Sequence, residues 1–358
     1  MRFLQFNGVL NYMTGSAKDY IPSFISLLRE ANITSLPLKP FPKRYLKYLM
    51  ENISYYLRTY AQLLDLAEVN ADKSKKDLAI LDHGCGNGLL GLFAKYCGYG
   101  KIFLHDLDDD FTASARLIST AIQLSCEEFI TGDTNKLIEI IDDKKIDLIL
   151  STDVIEHIYN PANFLQQVKL INDNIILLFK TPSNPANPLL NYRLKKMQYK
   201  DEWEGGSPDD YATFGEDAHE SFRVMRKKII ERQLKGLNED VLNKLVSLTR
   251  GLNEEDITKS VIHYQQTGSY PFVPSHPTNT CNPLNGSWTE RLLTVAEYHK
   301  LFDESGFYLQ VKNGFYNQWK KNKVLSLLMN IANLSVKLTG RLTAPYIILI
   351  GTPARKIS

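Results

Sequence analysis

A carboxylate, Asp82, stands two residues ahead of three glycines at alternate positions, Gly84, Gly86 and Gly88, with Cys85 and Asn87 between them. Glycines at this spacing let the chain turn sharply and leave no Cβ between the main chain and a ligand. Such a turn presents bare backbone to something bulky and flat. A dinucleotide fingerprint would read G-x-G-x-x-G and would place a pyrophosphate at a helix N-terminus. Here the spacing is G-x-G-x-G, and a carboxylate just before it repels a pyrophosphate and suits a cationic amino group. Asp106 falls 22 residues after Gly84, where a carboxylate can accept hydrogen bonds from both hydroxyls of a ribose. Leu107 follows it, and Asp108 is the alternative acid. Two further blocks carry polar groups, Gly132-Asp133-Thr134 and Asp153-Val154-Ile155-Glu156-His157-Ile158. His157 is the candidate general base, because imidazole titrates in the useful range.

The elements that must hold these residues alternate in type. Leu78 to Leu81 reads as an apolar strand, and Leu89 through Tyr96 as an apolar helix, giving a strand–tight turn–helix unit. Lys101 to His105 reads as a second strand ending at Asp106. Phe129 to Thr134 contains a short third strand, Ile146 to Thr152 a buried fourth, and Asn174 to Phe179 a fifth that runs into Lys180-Thr181-Pro182-Ser183-Asn184-Pro185. Each block alone has a plainer account, as a structural turn, a solvated acidic loop or ordinary Gly-Asp turn chemistry. Together they recur in order at the spacing of successive βα units, which predicts an α/β, doubly wound, mainly parallel sheet.

This series resembles the class I methyltransferases that use S-adenosylmethionine (SAM), and the Asp153 to Ile158 and Thr181-Pro182 blocks are similar to those of small-molecule and quinone O-methyltransferases. The resemblance covers about residues 77–182. It resumes at Leu293 to Tyr298, a helix start, continues through Glu304 to Phe307, and ends with a last strand within Ala344 to Gly351. It implies a seven-stranded Rossmann-like sheet with an antiparallel last strand and SAM as cofactor. Asp82 would lie near the methionine end of the cofactor, Gly84, Cys85, Gly86, Asn87 and Gly88 would form the turn beneath it, and Asp106 with Leu107 would hold the ribose. Asp133 with Thr134 would meet the adenine amine, and Asp153 with Val154 would line the pocket. Some relatives with an E-x-x-E-H block bind a divalent metal with the help of a distant histidine. Asp153, Glu156 and His157 with His219, His263 or His276 would be the counterpart, but the Asp at 153 departs from that pattern, and no metal ligand is assigned.

Composition is compatible with a globular enzyme: 44% hydrophobic and 23% charged residues. A formal charge of +2 gives no mandate for nucleic acid. The four cysteines lack C-x-x-C spacing, which argues against a zinc knuckle or a disulfide framework and for a reducing cytoplasmic setting. Neither a secretory leader nor a membrane-spanning run is predicted. Four regions are expected. Residues 1–76 form a helical extension with apolar-periodic segments at Ile21–Ala31 and Tyr45–Ala67. Residues 77–182 form the SAM-binding core. Residues 183–290 form a helical and irregular substrate cap, with helices over Asp217–Lys235, Asn238–Thr249 and Asn253–Gln266. Residues 291–358 complete the sheet and include an amphipathic helix at about 320–341.

The expected activity is methyl transfer to an oxygen of a sugar, quinone-like or lipid-linked small molecule. The alternatives are an RNA methyltransferase, disfavoured by the charge balance, and a non-catalytic cofactor-binding scaffold, disfavoured by the intact glycine turn and its acids. The 320–341 helix would suit peripheral contact with a membrane or a lipid-like substrate, against the plainer reading of a core or dimer helix.

Overall fold

A computed structural model describes residues 16–141, 145–206, 219–317 and 323–354. The chain opens with three helices, α1 (Ile21–Glu30), α2 (Pro40–Glu51) and α3 (Ile53–Asn70). It continues as β1 (Ala79–His83), α4 (Leu89–Tyr96), β2 (Lys101–Asp106), α5 (Asp109–Ala121), β3 (Glu128–Thr131), α6 (Thr134–Ile141), β4 (Leu148–Thr152), α7 (Pro161–Ile171) and β5 (Ile176–Thr181). Four helices follow: α8 (Pro188–Trp203), α9 (Phe222–Gln233), α10 (Glu239–Leu248) and α11 (Glu254–Thr267). The chain then returns as α12 (Val295–Glu304), β6 (Phe307–Asn313), α13 (Lys323–Thr339) and β7 (Ile347–Pro353).

The strands form one seven-stranded sheet in the order β3-β2-β1-β4-β5-β7-β6. Strands β1 to β5 pair parallel, while β7 runs antiparallel to both β5 and β6. The order reverses between β1 and β4, and a crevice at such a switch point is where open α/β sheets bind ligands. Because successive strand residues point to opposite faces, the buried strands feed two cores. Ile80, Ile102, Leu104, Leu148, Leu178 and Ile348 pack with the N-terminal helices and α4 and α5. Ala79, Leu81, Phe103, Ile149, Leu177 and Leu349 pack with α6, α7 and α12.

Three helical expectations are revised. The segment Tyr45–Ala67 is not one helix but parts of α2 and α3, broken at Asn52, whose side chain bonds back to the Tyr48 carbonyl. Helix α8 is additional to the helices that periodicity predicts, because its buried positions are Leu194, Gln198 and Glu202 and two of these are polar. The helix expected from Asp217 begins at Phe222 behind a Ser221 cap. Asp217 and residues 320–322 lie outside the described residues. Helices α9, α10 and α11 share a small core of their own around Ile230, Leu245 and Ile257. It joins α8 through Arg226, fully buried, whose guanidinium bonds the Glu202 carboxylate.

Candidate active site

The glycine turn leaves β1 at the carboxyl edge of the sheet. Gly84 has φ +66°, and a Cβ built there would stand 2.4 Å from the Val154 Cγ2, so both conformation and space demand glycine. Gly88 is constrained the same way by Ala115, at 2.8 Å. The turn is laced to its neighbours. The Cys85 amide donates to the His105 carbonyl (2.9 Å), and the Asn87 side-chain amide donates to the Pro42 carbonyl of α2 (3.0 Å).

Asp106 reaches the turn directly. One carboxylate oxygen accepts from the Gly86 amide at 2.8 Å and the other from the Asp108 amide at 3.1 Å. Burial pushes its carboxyl above the ordinary range. Asp108 instead caps α5, accepting from the Asp110 amide, so of the two candidate acids Asp106 is the one at the turn. Leu107 projects outward and is 70% exposed. Asp133 is exposed and accepts from the Lys136 amide in the first turn of α6, which begins at Thr134.

Asp82 lies beneath the turn. Its carboxylate accepts from the Gly91 amide at 2.8 Å, and the residue is 2% exposed. It therefore braces the first turn of α4, at the positive end of that helix, and a ligand would meet the turn it supports rather than the carboxylate itself. Burial pushes its carboxyl up to about 7, against the lowering effect of the Gly91 bond.

Across the switch point, β4 exits into a strained loop. Asp153 has φ +59°, a conformation that costs a non-glycine residue free energy and clusters at functional sites. Its amide donates to the Lys180 carbonyl, and its carboxylate forms an ion pair with the Lys180 ammonium. Lys180 is 5% exposed. Burial, the largest single effect, lowers its pKa, but the Asp153 charge and hydrogen bond together with the Tyr55 and Glu156 charges outweigh it and the net shift is upward. Lys180 belongs to this site although the sequence singled it out only as part of the Thr181-Pro182 block. The signal that could have found it is a lone lysine at the end of an otherwise apolar strand, which must have a buried counter-charge.

The same loop carries Glu156 and His157, met by a segment 131 residues away. The Trp288 amide donates to the His157 carbonyl and the Arg291 amide to the Glu156 carbonyl. His157 Nδ1 lies 2.7 Å from the Trp288 carbonyl oxygen. A carbonyl only accepts, so Nδ1 carries a proton, and in the neutral imidazole the lone pair lies on Nε2. Glu156 is 1% exposed, and neither carboxylate oxygen has a hydrogen-bond partner among the described residues. Burial, then the charges of Glu290 and Asp153, hold its carboxyl well above the ordinary range. Glu156, His157 and Glu290 bring one donor atom each within 4.8 Å of one another, a spacing that a divalent cation can bridge. Glu290, at φ +46°, accepts from the Ser183 hydroxyl. No sequence signal pointed to it, since only the fold brings it to β4.

The distant histidines go elsewhere. His219 contacts the Glu220 carbonyl and stacks on Phe222, His263 contacts Ser269, and His276 accepts from the Thr278 and Asn279 amides. None of these three histidines joins Glu156 and His157 among the described residues: Asp153 pairs with Lys180, and the group that stands beside Glu156 and His157 is Glu290. The N-terminal tyrosines are mainly packing residues, as in the Tyr48–Tyr56 and Tyr56–Tyr60 ring contacts. Tyr45 also faces the glycine turn, its ring edge 3.3 Å from where a Cβ on Gly86 would be.

A glycine turn braced by one buried and one partly buried carboxylate, facing an Asp–Lys pair and an oriented histidine, is the setting in which residues 74–229 match the family model for a methyltransferase domain. Over that span the chain is similar to a methyltransferase domain. It is 23% identical to the ubiquinone biosynthesis O-methyltransferase of Pelagibacter ubique over 63% of this chain and 88% of that protein. It is 45% identical to the ribosomal protein L11 methyltransferase of Paraburkholderia phymatum, over only 12% of this chain and 14% of that protein. Among solved structures it is similar to a SAM-dependent methyltransferase from Archaeoglobus fulgidus, with 14% identity, a TM-score of 0.37, and coverage of 84% of this chain and 94% of that one. The matched residues run from just before β1 to α9 and include the glycine turn, Asp106, Asp153 and His157. Glu290 and Trp288 reach it from outside the matched span. Among the described residues, no helix is long and apolar enough to cross a membrane.

Proposed function

We propose that this chain transfers the methyl group of SAM to an oxygen of a small-molecule acceptor. The observation that carries the proposal is the orientation of His157: the Trp288 carbonyl takes Nδ1–H, so in the neutral imidazole the lone pair lies on Nε2 at the exit of β4. SAM supplies a sulfonium that is already a strong methyl donor. What remains for the protein is to bind it, align the acceptor, exclude water and accept the acceptor's proton.

In this reading the backbone of Gly84, Cys85, Gly86, Asn87 and Gly88 forms the floor under the cofactor. The glycines fit that role, because the turn has no side chains at the positions where backbone and ligand would approach. Asp106, with Leu107, accepts from the ribose hydroxyls while its existing bonds keep the carboxylate fixed. Asp133 and Thr134 meet the adenine edge, and Asp153 and Val154 close the methionine end. Asp82 acts through Gly91 by holding the turn in shape. His157 Nε2 takes the acceptor proton as the oxygen attacks. Residues 183–290 act as the substrate cap over the core of residues 77–182, with residues 1–76 on the cofactor side and 291–358 completing the sheet.

The test is His157→Ala. It should retain affinity for S-adenosylhomocysteine and lose turnover with any acceptor found by a labelled-cofactor screen. Turnover equal to wild type would remove His157 from the mechanism. A second reading has one specific observation behind it, the unpartnered Glu156 carboxylate beside Glu290. A divalent cation held by Glu156, His157 and Glu290 would lower the pKa of a bound hydroxyl. Titration with Mn2+ followed by electron paramagnetic resonance separates the two, since the base mechanism needs no ion at this position.

A further inference from the structure

Helix α13 carries an apolar stripe that is exposed among the described residues. Leu327, Leu328, Ile331, Leu334 and Leu338 are each half exposed or more. They recur every three or four residues, which places them along one helical face. The helix is nevertheless anchored. The Asn333 side chain bonds both the amide and the carbonyl of Tyr316, and Val336 is buried.

The stripe lies in a stretch of one charge. From Ser305 to the C-terminus the sequence holds eight Lys and Arg and no Asp or Glu, a balance of +8. The whole chain sums to +2, so the residues before Ser305 sum to −6. Lys337 and Arg341 are exposed near the end of the helix. A helix with one apolar face in a cationic setting is complementary to a surface that is apolar beneath and anionic above, namely a membrane interface with anionic headgroups. An ordinary soluble partner would account for the stripe but not for its place in a stretch of sequence that has eight basic residues and no acidic one.

The position of α13 gives the complementarity a consequence. Thr181, at the end of β5, pairs with Ile347, and Ile347 pairs with Asn313 at the end of β6. The connection that contains α13 therefore leaves and re-enters the sheet at the carboxyl edge, where the site lies. The loop after β5 is tied to it: the Asn184 amide donates to the Arg341 and Ala344 carbonyls, and the Asn187 amide donates to Ala344. We propose that α13 is a docking helix that lies in the interface of an anionic membrane and holds the carboxyl edge of the sheet beside it. The docking stands independently of the methyl-transfer reading, and its occupant is the membrane rather than a second copy of the chain.

The experiment is flotation of the full chain with vesicles of phosphatidylcholine alone and of phosphatidylcholine with phosphatidylglycerol. Co-flotation is expected with the anionic vesicles only, and it should weaken as salt is raised. The double substitution Leu327→Gln, Ile331→Gln should reduce it by about tenfold or more, with thermal stability and S-adenosylhomocysteine affinity unchanged. If that variant does not fold, Leu338→Gln carries the same comparison with a smaller loss. No flotation of the folded chain with anionic vesicles would overturn the proposal, and so would flotation indifferent to these substitutions. A dimer in light scattering that the same substitutions dissociate would also overturn it, because the stripe would then face a second copy. Cofactor affinity is measured separately, so failure here leaves the methyl-transfer reading untouched.

Discussion

Asp82→Asn should make the ligand-free protein more stable, and increasingly so as pH rises. The carboxylate is closed off from water, and among the described residues its hydrogen-bond partner is the Gly91 amide. Burial lifts its pKa from 3.8 to about 7. Because the folded-state value is the higher one, the folded chain holds the proton more tightly than the unfolded chain. Ionisation then costs nothing below about pH 3.8, the cost grows through the window up to about pH 7, and it is fully present above that. A shift of about three units corresponds to roughly 4 kcal/mol at most. At pH 5 about a third of this has accrued, so the wild type should lose roughly 2–3 kcal/mol more than the variant between pH 5 and pH 8. Asparagine keeps an oxygen for Gly91 and does not ionise, at a cost of about 1 kcal/mol for its unmatched amide. The assay is urea unfolding of both proteins at the two pH values. The variant's advantage should widen at pH 8, and the difference between the proteins cancels titrations elsewhere, such as that of Glu156. An advantage that does not change with pH, or a variant weaker at both values, would refute the reasoning. The same substitution should weaken cofactor binding, because the protein keeps a costly carboxylate under the turn it would present to the ligand.

Other perturbations read the site and its supports. Asp106→Ala removes the acceptor of the Gly86 amide and the proposed ribose contact, and should weaken S-adenosylhomocysteine binding by about 1.5–3 kcal/mol in calorimetry; unchanged affinity in a folded variant would move the ribose elsewhere. Gly84→Ala forces a Cβ toward Val154 at positive φ and should cost roughly 1–3 kcal/mol in urea unfolding, while the unhindered Gly236, at which a Cβ would meet nothing within 4 Å, should cost less. Glu202→Ala leaves the Arg226 guanidinium buried without its carboxylate and should destabilise by about 3–5 kcal/mol, a loss visible as a lower melting temperature.

What could be read in the sequence follows from where local physics suffices. Strands β1, β2, β4 and β5 were legible because each has an apolar run ending in a polar residue, and the βα rhythm pointed to a mainly parallel sheet. The glycine turn was legible because only glycine serves at φ +66° against Val154. Asp106 and Asp153 were legible as acids placed just after strands. The break at Asn52 was hidden because apolar positions continue on both sides of it, and α8 was hidden because Gln198 and Glu202 are buried for their hydrogen bonds rather than their hydrophobicity. Glu290 and Trp288 were illegible for another reason. Their importance comes from a contact made across more than a hundred residues of chain, and nothing in their own neighbourhood reports it. Lys180 lay between these cases, visible as an oddity in a buried strand but interpretable only beside Asp153.

The central claim is that the glycine turn and Asp106 hold SAM. Calorimetric titration of the full chain with S-adenosylhomocysteine, with NAD as the control, tests it most directly. Saturable binding of S-adenosylhomocysteine, weakened in Asp106→Ala and absent for NAD, is the predicted result. A folded chain that binds neither, or binds NAD instead, would contradict the account.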